Sequence, residues 1–185
     1  MRKNSGFSLI ELLMVIAMIA IILSIGLPSL MSYRSKAQLG KASRDVFGGL
    51  QKAKMEAARN NRFCVFSFSA INVDGVNYDF HVFVDYSDPR NDVYDAGVDD
   101  FITGYQSKNY PGVQIDNDYG GGTGMTFPTE SGNPVVAFAP DGLPKKLDGS
   151  LGAGSLYFSD GHTNGREISV SLVGNVQISQ YEANP

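Results

Sequence analysis

The sequence predicts an α+β fold: one long N-terminal helix, transmembrane in its first half and amphipathic in its second, packed on an antiparallel β-sheet or small β-sandwich. Three observations predict it. Leu12 to Leu27 is apolar except for Ser24 and Gly26. Beyond it, Leu39, Ala42, Val46, Leu50, Ala53 and Ala57 recur at spacings of three and four, the period of a helix with one buried face. From Phe63 onward, aromatic and β-branched residues gather in short runs separated by glycine-rich segments, as strands and their turns do.

Phe7 to Leu27 would form a rod of roughly 31 Å at the helical rise, about one hydrocarbon thickness, so the run can span a bilayer. Pro28 closes it and is expected to break or kink the helix. Glu11 is anomalous in this setting. An unpaired carboxylate in a membrane span costs at least ~2.5 kcal/mol, so its expected role is to meet a cationic partner. A secretory signal would need a small-residue cleavage site, which Ser24-Ile25-Gly26-Leu27-Pro28 supplies poorly. A plain anchor explains the length but neither Glu11 nor the Gly6-Phe7 junction ahead of it.

Residues 29–62 make the amphipathic half, with Lys36, Lys41, Arg44, Lys52 and Lys54 on the polar faces and an end expected near Asn60-Asn61. Gly48-Gly49 is a weak point, since each glycine costs ~1 kcal/mol against alanine in a helix. It marks either a close-packing contact or a place where the helix loosens.

Residues 63–185 make the β-rich globular part. Strands are expected at Phe63–Phe68, Tyr78–Val84, Val135–Ala139, Ser155–Phe158, Glu167–Leu172 and Asn175–Ser179, with Gly174-Asn175 as a two-residue hairpin turn between the last two. The 185 residues suffice for one membrane helix and one globular domain. A net charge of −4 argues against a nucleic-acid footprint, which needs a basic face. Cys64, the single cysteine, has no intramolecular partner and reads as a buried, inert thiol within Phe63-Cys64-Val65-Phe66.

The densest group of candidate ligands is Asp85, Asp88, Asn91, Asp92, Asp95, Asp99 and Asp100. Oxygen donors spaced along one loop are what a hard cation such as Ca2+ takes, although Pro89 and Arg90 break the EF-hand pattern. Two readings stand: a solvated acidic loop, or a calcium site on Asp85, Asp88, Asp92, Asp95 and Asp99. Gly120-Gly121-Gly122-Thr123-Gly124 lacks the lysine that ends a phosphate loop and reads as a flexible connection. His81 and His162 make no zinc spacing with one cysteine, and Ser159-Asp160-Gly161-His162 reads as a turn rather than a nucleophile elbow. No residue is given a catalytic role, no cofactor is required, and the chain is not expected to be an enzyme.

Arg2-Lys3-Asn4-Ser5-Gly6 followed by Phe7-Ser8-Leu9-Ile10-Glu11-Leu12-Leu13 resembles the class III signal of type IV prepilins and of the pseudopilins of type II secretion. The resemblance implies that a prepilin peptidase removes residues 1–6, cutting after Gly6, and N-methylates Phe7. It implies that residues 7–28 form the transmembrane and assembly helix. Glu11 would then meet the terminal ammonium of a neighbouring subunit, and a helix-breaking proline stands at Pro28. Loss of Arg2 and Lys3 with the leader would take the net charge from −4 to −6.

The passage from Leu50 through Arg62 into Phe63-Cys64-Val65-Phe66 is similar to the GspH/FimT branch of minor pseudopilins. So are Phe138-Ala139-Pro140-Asp141-Gly142 and the stretch from Arg166 to Val176. This implies a structural subunit of a type IV pilus or a type II secretion pseudopilus. Its partners would be other pilin subunits, prepilin peptidase, an inner-membrane assembly platform and, before assembly, membrane lipid. Arg2 and Lys3 place the N-terminus in the cytoplasm, making a single-pass inner-membrane protein with a periplasmic C-terminal domain. The chain departs from pilins whose C-terminal loop is closed by a disulfide. Alternatives are a major shaft subunit and a DNA-binding minor pilin for DNA uptake, the latter disfavoured because Gln180-Tyr181-Glu182-Ala183-Asn184-Pro185 is neutral to acidic.

Overall fold

The computed structural model describes residues 9–184. Helix α1, Leu9–Asn60, runs 52 residues without interruption, so Pro28 does not end it. The helix continues past Pro28 into the amphipathic half, although proline has no N–H to donate to the Ser24 carbonyl. Asn61 then takes a positive φ of 51°, which stops the helix where the asparagine pair stands.

Eleven strands follow: β1 Phe63–Ser67, β2 Ile71–Val73, β3 Val76–Tyr78, β4 Phe80–Asp85, β5 Asp100–Tyr105, β6 Gln114–Ile115, β7 Thr129–Glu130, β8 Asn133–Phe138, β9 Gly154–Ser159, β10 Asn164–Val170 and β11 Val176–Glu182. They form an antiparallel sheet of order β5-β4-β1-β8-β7, a second of order β11-β10-β9-β6, and the small hairpin β2-β3. The α+β arrangement of a long helix on antiparallel sheet is as the sequence predicts.

Strands β2, β6 and β7 were not expected, most of the expected strands shift at their ends, and three larger differences stand out. The run from Tyr78 to Val84 is two strands, because Tyr78 pairs with Ile71 in the hairpin and β4 starts at Phe80. Strand β5 lies in a stretch read as acidic loop and connection. The last hairpin closes through Ser171 to Asn175, where Ser171 N–H donates to the Asn175 carbonyl at 2.9 Å. Leu172 and Val173 are exposed there rather than strand. Gly174 has φ of 73° and lies against the Gly142 carbonyl, a position no Cβ could share.

Leu39, Ala42, Val46, Leu50, Ala53 and Ala57 are each at most 2% exposed, so the helical stripe is the helix side of the core. It meets Cys64, Phe66, Val82, Val84, Val136, Phe138, Leu156 and Ile168. Burial of this kind is worth roughly 1.5–3 kcal/mol for each large apolar side chain. The opposite face of the first sheet has its own cluster of Val65, Phe83, Val135 and Ala137, covered by Phe63 and Tyr94. Of the glycine pair, Gly48 has open space around it, whereas Gly49 is in close contact with Phe66 and Tyr105. Cys64 is fully buried between Val84 and Phe138, and desolvation pushes its thiol up to about 12. A thiol held protonated in this way is a poor nucleophile.

Candidate functional site

The first candidate is the N-terminal half of α1. Its large apolar side chains lie open on every side of the helix, with Leu9 77%, Ile16 55% and Ile22 69% exposed. The helix is long and apolar enough there to cross a membrane, and none of that window is buried in the domain. Glu11 sits exposed in the first turn of α1, and no ion pair engages it among the described residues. Gly6 and Phe7 lie outside the described residues. The geometry thus presents an apolar rod with one carboxylate at its start, fused to a folded domain.

The second candidate is the loop between β4 and β5. The structure brings Asp85, Asp92, Asp95 and Asp99 together but turns them onto protein donors. Asp85 accepts the backbone N–H groups of Ser87 at 2.9 Å, Asn91 at 3.3 Å and Asp92 at 2.9 Å. Asp99 accepts Tyr86 N–H at 2.7 Å and Asp95 N–H at 2.8 Å. Asp95 accepts the Ser87 hydroxyl at 3.1 Å and the Asn91 amide at 2.8 Å. Asp88 stands exposed and apart from them. Among the described residues, no three of His, Cys, Asp and Glu are arranged to hold a metal ion.

Arg90, which in sequence only interrupts a calcium pattern, is the organiser of this loop. Its guanidinium is bidentate to Asp92, donates to the Lys145 carbonyl at 2.7 Å, and stacks 3.9 Å from the Phe63 ring centroid. Burial raises the Asp92 carboxyl above the ordinary range despite the opposing pull of Arg90, with Asp85 adding to the rise. Burial likewise raises Asp99, against the N–H donors from Asp95 and Tyr86. Tyr94 meets Phe83 edge-on at 5.7 Å, so the loop serves as a cover for the outer face of the first sheet. The one sequence signal for this role was an arginine two residues from an aspartate.

His81 is buried, with Nδ1 3.1 Å from the Ser69 carbonyl, and stacks on Phe83 at 5.6 Å. Desolvation lowers its pKa from the ordinary 6.5. His162 is exposed on its turn, and the glycine-rich stretch around Gly121 closes a loop in which Gly124 N–H reaches the Tyr119 carbonyl at 3.0 Å. Neither gathers a catalytic set.

An apolar half-helix open on every side and joined to an α+β domain can be set beside known proteins. The profile described as Type II transport protein GspH matches residues 42–174. The chain belongs to the GspH family. The prokaryotic N-terminal methylation motif matches residues 1–27. A similar curated protein is the pilin-like protein PilA1 of Thermus thermophilus, 27% identical over 173 residues that cover 94% of this chain and 97% of that one. No solved structure matches. As a GspH-family chain with a prepilin-type N-terminus, it is a structural subunit of the pilus and type II secretion class, anchored through its apolar helix and carrying a C-terminal domain.

Proposed function

We propose that the chain is a minor pilin or pseudopilin of the GspH type, matured by prepilin peptidase between Gly6 and Phe7. It sits in the inner membrane with its domain in the periplasm until α1 enters a filament. The observation that carries this is the division of α1: a first half that buries nothing in its own domain, and a second half whose stripe is the domain core. An apolar rod with no partner among the described residues needs lipid before assembly and other helices after it. Glu11 adds the selectivity, because a buried carboxylate is tolerated only where a cation meets it.

The testing experiment is N-terminal mass spectrometry of the mature chain from the membrane fraction. A methylated phenylalanine corresponding to Phe7 is expected, and a first residue near position 28 or an intact Met1 would overturn the reading. A major shaft subunit has the same helix, and copy number in sheared filaments separates the two. A DNA-uptake role finds no support in the C-terminal strand, where Glu182 is the one charged residue of β11.

A further inference from the structure

Between Glu11 and Asp45 the charged residues are Arg34, Lys36, Lys41 and Arg44, all cationic, in a chain whose net charge is −4. None of them is ion-paired among the described residues. On the proposed topology they lie on the translocated side, where positive charge does nothing to favour the orientation. Lys41 is engaged with the Tyr110 ring at 5.2 Å. Lys36 is not so engaged. Together with Leu39 it lines one side of a cavity of about 500 Å3 whose other side carries Arg166, Gln180 and Glu182. Arg166 alternates with Ile168 and Val170 on the helix-facing side of β10, and it too has no ion pair among the described residues. Two cations and an amide therefore face one carboxylate, and the cavity is net positive.

Its position relative to the bilayer follows from Glu11. With that carboxylate held at the cytoplasmic boundary, Leu12 to Met31 is a run of ~30 Å, one hydrocarbon thickness. Tyr33, 71% exposed, then falls where aromatic side chains anchor at the interface. Lys36 stands roughly 7 Å above Met31, inside the headgroup layer. We propose that the cavity between Lys36 and Arg166 binds the phosphate of an anionic phospholipid headgroup while the chain resides in the membrane. This rests on α1 spanning the bilayer and names the lipid chemistry that its outer flank selects.

The test uses the full chain reconstituted in nanodiscs of equal phosphatidylglycerol and phosphatidylcholine, with native mass spectrometry counting the lipid that stays bound on release. Retention of phosphatidylglycerol over phosphatidylcholine is expected. It should fall about twenty-fivefold in the double variant Lys36→Gln with Arg166→Gln, each cation contributing about fivefold near an anionic surface. Arg59→Gln, at the far end of α1, should change nothing. Should the double variant misfold, Lys36→Gln alone, on an exposed helical position, should lower retention about fivefold. Equal retention of both lipids, or undiminished retention in the variants, would overturn the proposal. So would displacement by excess inorganic phosphate, which marks a small-anion site, or a variant that keeps its lipid yet is lost from filaments, which marks a subunit contact. A chain that fails to enter the nanodisc at all instead refutes the membrane span.

Discussion

Tyr105 of β5 sets its phenol end directly on Gly49 of α1, and the Phe66 ring closes the same spot, with Cε2 only 2.8 Å from where a Cβ would stand. Gly48, one residue earlier, faces open space. The two glycines therefore have opposite consequences. Gly49→Ala should destabilise the domain by about 1–3 kcal/mol, because the buried Phe66 ring has no room to move. Gly48→Ala should stabilise it by up to about 1 kcal/mol through helix propensity. Denaturant midpoints of the two variants should lie on opposite sides of the parent, and a shared sign would contradict the packing described.

Glu11→Ala is expected to leave the domain folded and the chain in the membrane while lowering its recovery in sheared filaments. Removing a charge from an apolar helix favours insertion, so a loss can arise only at assembly, where an unmatched partner cation costs about 3–5 kcal/mol. Recovery equal to the parent would show that Glu11 meets no partner.

The acidic loop should respond to loss of its internal acceptor more than to metal. Asp85→Ala strands three backbone N–H groups and should cost about 2–4 kcal/mol. Melts of the parent in calcium, magnesium and chelator should coincide, since these oxygens already have donors. A melting temperature that climbs with calcium alone would restore a cation to the loop, because only a ligand of the native state raises it this way.

His81 gives a pH dependence with a definite sign. Its folded pKa is lowered from 6.5, so below that value the unfolded chain binds a proton that the folded chain refuses. Stability is then full above about pH 6.5 and lost as pH falls toward the lower folded value. In His81→Asn the side-chain amide can still donate to the Ser69 carbonyl. It should be less stable at neutral pH, since a ring packed on Phe83 is lost, yet it should lack this share of the decline between pH 7 and 5. Parallel pH profiles for the two proteins would remove His81 as the cause.

The helix was legible in sequence because its two signals are redundant: six apolar residues at helical spacing, and a lone glutamate heading a run of hydrocarbon. Strand β5 was not, because Asp99 and Asp100 extend the acidic composition into it and Gly104, packed under the Tyr78 ring, interrupts its alternation. Leu172 and Val173 misled in the other direction, being apolar residues that the hairpin leaves in solvent. For the loop, composition shows how many carboxylates there are and cannot show what they face. Whether Asp85 meets water, metal or its own backbone is decided by Arg90 and Tyr94, which pin the loop to Phe63 and Phe83.

The continuity of α1 has a mechanical consequence. Its 52 residues make a rod of roughly 78 Å in which the segment carrying the domain core and the segment in hydrocarbon belong to one continuous helix. There is no tether to take up slack. A pull on the domain therefore reaches the apolar segment as axial load, and extraction from the bilayer is a stroke of fixed length, set by the distance from Leu39, locked in the domain, back to Glu11.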